Sequence, residues 1–112
     1  MSLLFITHDM GAVSKLCHSV KVMYLGQVVE DASTEELFAN PLHPYTMGLL
    51  ACIPHLGVER DKDFPTIAGT VPSLTEIPKG CHFCTRCNHA KDQCINKQPP
   101  LVKASEGHFV KC

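Results

Sequence analysis

The chain has 112 residues, enough for one modest domain with a thin stability margin. Its formal net charge is −1 and only 19% of its residues are charged, which argues against a basic nucleic-acid or membrane-surface binder. No apolar run reaches the roughly 18–20 residues that span a bilayer, and "MSLLFI" lacks the pattern of a signal peptide. The expected compartment is therefore cytoplasmic and reducing, where thiols favour metal over disulfides.

In chain order, "SLLFI" (2–6) is a short continuous apolar run and predicts a fully buried strand. "MGAVSKLC" (10–17) has apolar residues near helical spacing, with Asp9 as N-cap. "SVKVMYLGQVVED" (19–31) predicts two strands, Val20–Tyr24 and Gln27–Glu30, joined by a tight turn at Leu25-Gly26. Ser33 with Glu36 three residues later has a capping-box pattern and opens a helix that stops before Pro41. "HPYTMGLLACIP" predicts another short helix, with Pro44 in its first turn and Pro54 after it. Cys17 and Cys52 lie on apolar helical faces and read as small core residues.

The composition then changes. Residues 57–112 hold five of the eight prolines and five of the seven cysteines. The charged stretch 58–63 reads as a solvated loop. "FPTIAGTVPSLTEIPKG" reads as an extended connector, with short strands around Thr66–Ile67 and a turn at Val71-Pro72. The class expected from this mixture is α/β going to α+β. A first strand with no sheet partners before it suggests a missing N-terminal portion.

The cysteines follow the spacing Cys81-x2-Cys84-x2-Cys87-x6-Cys94-x17-Cys112. Thiolates are soft ligands that suit zinc and iron–sulfur clusters. A loop can converge several of them on one centre, and Pro78 and Gly80 supply a bend. His82, His89 and His108 could replace a thiolate on zinc. An iron–sulfur cluster, a structural zinc site and a set of free or disulfide-linked thiols all remain open on spacing alone. His108 reads as a structural residue rather than a ligand.

"LLFITHDMGAVSKLCHSVKVMYLGQVVE", "ELFANPLHPYTMGLLACIP", "PKGCHFCTRC" and the terminal "GHFVKC", in that order, resemble the end of an ABC transporter ATP-binding domain of the oligopeptide/dipeptide branch, with that branch's C-terminal extension. The resemblance covers nearly the whole chain. It implies a remnant of an ABC ATPase domain over 1–56 and a cysteine-rich, loop-rich extension over 57–112. It implies that His8 is the switch histidine, which contacts the γ-phosphate of ATP, with Asp9 beside it on the phosphate side. It further implies that Cys81, Cys87, Cys94 and Cys112 bind a [4Fe-4S] cluster. Cys84 falls at a variable position and is an alternative ligand. The intact protein would use ATP and magnesium to drive uptake of peptide or nickel. Its partners would be permease subunits and a second ATP-binding subunit, at the cytoplasmic face of the cell membrane.

No G-x-x-x-x-G-K-[ST] loop, signature motif or magnesium-holding acidic strand end is present, so the expected behaviour of this stretch alone is no ATP hydrolysis. Unpaired sheet edges predict some self-association. Two other readings are a stand-alone iron–sulfur redox protein and a zinc-binding interaction module, with ligands among Cys81, Cys84, Cys87, Cys94 or a histidine.

Overall fold

The computed structural model describes residues 1–54 and 65–112. The charged stretch 58–63 and the expected division at 56/57 lie outside the described residues. Helix α1 spans Met10–Leu16. Asp9 caps it as the sequence suggests, its carboxylate accepting from the Ala12 N–H at 3.1 Å.

Strands β1 (Ser19–Tyr24) and β2 (Gln27–Ser33) form the expected hairpin. Leu25 at φ 45° and Gly26 at φ 77° give the two left-handed residues that a tight hairpin turn matching strand twist requires. The register shifts between Val22 and Met23, so Val22 faces Glu30 while Met23 faces Val28. This bulge lets Val29 and Glu30 both be buried, although strict alternation would bury only one of two neighbours.

Helix α2 spans Thr34–Ala39, and the Ser33 hydroxyl accepts from the Glu36 N–H at 3.2 Å. Helix α3 spans Pro44–Ala51. Its N-cap is His43, whose Nδ1 accepts from the Tyr45 N–H at 3.1 Å. Beyond the connector come a 3-10 turn at Cys84–Arg86, helix α4 (Asp92–Asn96), and strands β3 (Val102–Ser105) and β4 (His108–Val110).

All four strands form one antiparallel sheet in the order β1-β2-β4-β3. The last strand of the chain is thus inserted beside β2, with Glu30 opposite Val110 and Asp31 opposite Phe109. The core is Val22, Tyr24, Val29, Ala32, Leu37 and Phe83. Phe83 comes from the cysteine-rich loop and meets Tyr24 edge-on at 5.2 Å and Tyr45 at 5.5 Å. Burying one such ring contributes about 1.5–3 kcal/mol, so the cysteine loop is anchored to the sheet by its own aromatic residue.

Two expectations need correction. The run 2–6 is not a buried strand: Leu3, Leu4 and Ile6 are more than four-fifths exposed. A strand is held by ladder partners, and among the described residues none pairs with this segment. Thr66–Ile67 also form no strand, and the turn lies at Leu74–Thr75, closed by Glu76 N–H to Ser73 C=O at 2.9 Å, rather than at Val71-Pro72. Arg86 explains the first of these. Its guanidinium donates to the carbonyls of Ala68 (3.1 Å) and Ile67 (3.2 Å), taking acceptors that a sheet ladder would need. Cys17 and Cys52 are half-buried. Cys17 ends α1 as its C-cap, and the Cys52 thiol donates to the Pro65 carbonyl at 2.8 Å.

Candidate functional site

Cys81, Cys84, Cys87, Cys94 and Cys112 all line one cavity of about 240 Å³. Four of these residues are half-buried and Cys112 is exposed. His43, Phe83, Gln93 and the Pro99-Pro100 pair complete much of the wall. The thiols arrive there from three separate pieces of chain: the loop 81–87, helix α4 and the two-residue tail after β4.

Local chemistry fixes each piece. The Cys81 N–H donates to the Cys94 carbonyl at 2.7 Å, tying the first thiol to the fourth. Gly80 makes that approach possible. A Cβ at position 80 would lie 2.6 Å from the Ile95 carbonyl carbon and closer still to the Cys94 oxygen, distances that real Cβ atoms do not adopt. The reason for glycine here is therefore close backbone contact; a bend alone would not require it. Cys94 Sγ accepts from the Lys91 N–H at 3.4 Å, a thiol doing what a carboxylate does in a capping box. Cys87 Sγ accepts from the His89 N–H at 3.4 Å. The tail is held by the Lys111 N–H on the Val29 carbonyl at 2.8 Å, which delivers Cys112 to the same cavity.

Burial pushes the Cys81, Cys84 and Cys112 thiols above their ordinary range, and the neighbouring thiols push each further up. Even so, among the described residues no three of His, Cys, Asp or Glu stand close enough together to hold a single metal ion.

A second polar cluster lies beneath this cavity. Glu30 is fully buried. Its Oε1 accepts from the Leu42 N–H at 2.8 Å and its Oε2 from the His43 N–H at 3.0 Å, capping the entry to α3. His108, 1% exposed, meets Glu30 Oε1 through Nε2 at 2.6 Å and Glu36 Oε1 through Nδ1 at 3.4 Å. Burial raises the Glu30 pKa, but the nearby Thr46 hydroxyl together with hydrogen bonds from His108 and the two backbone N–H groups outweighs it, and the net shift is downward. The Thr46 hydroxyl itself has no hydrogen-bond partner among the described residues. His43 is held down to about 4 by burial, against a smaller upward pull from Glu30.

His8 and Asp9 sit apart from both clusters, in the exposed segment ahead of α1. Asp9 is committed to the helix cap, and neither residue lines the cysteine cavity. The four cysteines expected as ligands and the alternative Cys84 all line this one cavity. The sequence reading misses Glu30, His43 and Thr46. A glutamate inside the apolar strand "QVVED", with a histidine 13 residues later at a helix start, is the only signal that could have raised them.

Five thiols around one cavity, beside a four-stranded antiparallel sheet, define a small cysteine-bearing α+β unit. The family described as "Oligopeptide/dipeptide transporter, C-terminal region" matches residues 29–94, and the chain belongs to that family. Among curated relatives, the oligopeptide transport ATP-binding protein AppD of Bacillus subtilis (strain 168) is 49% identical over 99% of this chain and 34% of its own length. The "Probable D,D-dipeptide transport ATP-binding protein DdpD" of Escherichia coli (strain K12) is 53% identical over 99% of this chain and 33% of its own. OppD of Bacillus subtilis (strain 168), an oligopeptide transport ATP-binding protein, is 44% identical over 98% of this chain and 31% of its own. The chain spans about a third of the length of the curated relatives it matches.

Proposed function

We propose that this chain is the C-terminal part of the ATP-binding subunit of a peptide importer. Residues 1–56 then end the nucleotide-binding domain, and 57–112 form a metal-bearing extension. The intact protein would couple ATP hydrolysis, with magnesium, to peptide uptake. It would work with permease subunits and a second ATP-binding subunit as a peripheral protein at the cytoplasmic face of the membrane. Among the described residues no helix is long and apolar enough to cross a membrane. The family match and the names of the relatives support this reading. His8 would act as the switch histidine, its exposed ring meeting the γ-phosphate and attacking water once the rest of the domain is present. Asp9, by capping α1, would hold the loop that carries it.

We infer that the extension holds an iron–sulfur group, as the resemblance implies. The observation that supports this is the gathering of all five thiols around one cavity. A four-iron cluster spaces its four thiolates around a cage and takes one per iron. Cys81, Cys87, Cys94 and Cys112 would hold it, with Cys84 as the alternative ligand. N–H groups directed at Cys87 and Cys94 suit thiolate ligands, because they spread negative charge. Bound there, the group would link the tail to the loop 81–87 and α4.

Anaerobic purification with iron, sulfide and zinc quantified tests the reading. About four irons per chain supports it. One zinc and no iron favours a zinc-binding interaction module. Cys112→Ser should abolish iron binding, and unchanged iron would move the fourth ligand to Cys84 or a histidine.

A further inference from the structure

The cysteine cavity has a wall residue whose proton is placed by the backbone. His43 lines that cavity and is 1% exposed. Its Nδ1 accepts from the Tyr45 N–H. A backbone N–H can only donate, so Nδ1 carries a lone pair, and the proton of the neutral ring sits on Nε2. Nδ1 and the backbone N–H of His43 are both engaged, the latter on Glu30. Nε2 has no hydrogen-bond partner among the described residues. The ring packs against Phe83 at 5.7 Å between centroids, and Phe83 stands between Cys81 and Cys84 in the chain. The imidazole is thus locked by its cap bond and by Phe83, at the wall of the thiol cavity, with one N–H to spare.

We propose that His43 is a positioning residue for the group held by the cysteines: its Nε2–H donates to a sulfur of that group and raises its reduction potential. The inference rests on the iron–sulfur reading above. A hydrogen bond to a cluster or ligand sulfur stabilises the reduced form, which carries one more negative charge. An electron added from a mediated electrode goes to the iron–sulfur group, and His43 neither gains nor loses its proton.

The test is spectroelectrochemical titration of the anaerobically reconstituted 112-residue chain and of His43→Asn. Asparagine keeps a side-chain acceptor for the α3 cap and removes the ring N–H. Iron content should be unchanged. The midpoint should fall by about 59 mV, the one-electron equivalent of a tenfold change in the redox equilibrium. An unmoved midpoint at wild-type iron content overturns the proposal alone, leaving the cluster reading intact. A wild-type chain that takes up no iron, or zinc in its place, overturns both. Should His43→Asn fail to fold, the wild-type chain labelled with nitrogen-15 histidine decides the matter. Pulsed electron paramagnetic resonance of the reduced form should show coupling to one histidine nitrogen and an exchangeable proton, and their absence overturns the assignment.

Discussion

Gly80 and Gly26 show two different reasons for one residue type. Gly26 has φ 77° and nothing near where a Cβ would go, so Gly26→Ala meets only backbone strain. It should cost about 1 kcal/mol and leave metal content untouched. At Gly80 a Cβ would run into the backbone of Cys94 and Ile95, which cannot rotate aside as a side chain can. Gly80→Ala must part the loop from α4 and break the bond from Cys81 to Cys94. A loss of about 2–4 kcal/mol in chemical denaturation is expected and, where the thiols hold iron as proposed, the loss of most of that iron. Equal destabilisation by both variants, with iron retained in both, would sink the account of Gly80. On the proposed function His8 belongs to a third kind, a residue whose use depends on the rest of an ATP-binding domain. His8→Ala should leave the thermal stability of the 112-residue chain unchanged, because its side chain is exposed. In the intact ATP-binding subunit the same change should slow ATP hydrolysis by about 10²-fold or more, as loss of one transition-state contact does. A wild-type hydrolysis rate would remove His8 from the phosphate site.

Elements with their own local signals were legible in the sequence. Caps at Asp9 and Ser33, the Leu25-Gly26 turn and Pro44 in the first turn of α3 all act within a few residues, and the structure has them where the sequence puts them. The spacing of the cysteines allowed them to meet, and all five line one cavity. What failed depends on partners far along the chain. The run 2–6 looks like a buried strand because apolar residues normally find a sheet, yet no ladder reaches it here. Thr66–Ile67 has strand-forming residues, but Arg86 takes its carbonyls from 19 residues away. Glu30 was hidden by the bulge in β2, which turns two adjacent positions inward. At this scale Arg86→Leu isolates the clamp. It should free the connector around Ile67–Ala68 and raise its amide exchange, while the β1–β2 hairpin keeps its protection. Stability should fall by about 1–3 kcal/mol, the usual cost of hydrogen bonds to a charged group. Unchanged exchange at residues 67–69 would show that Ile67, packed on Gly48, holds the connector without the arginine.

The molecule as a whole is closed by Glu30. One carboxylate joins β2, the start of α3 and the tail strand β4, through Leu42, His43 and His108. That makes acid the natural stress on this fold, and the signs of the shifts agree. His43 has a folded pKa of about 4 against an ordinary 6.5, so the unfolded chain binds the extra proton first. Its contribution is complete above pH 6.5 and is lost as pH falls toward 4. At 1.36 kcal/mol per unit the loss is at most about 3 kcal/mol. Glu30 is shifted below its ordinary 4.5, so its contribution is held above that value and lost as pH falls through the lower folded pKa. Urea midpoints of the metal-free chain should therefore be flat near neutrality, decline from pH 6.5 toward 4, and decline again below it. His43→Asn should flatten the first decline and spare the second, because asparagine does not titrate and Glu30 keeps its backbone donors. If the two chains lose stability in parallel between pH 6.5 and 4, the acid sensitivity arises elsewhere, and the neutral buried imidazole is not what links folding to protons.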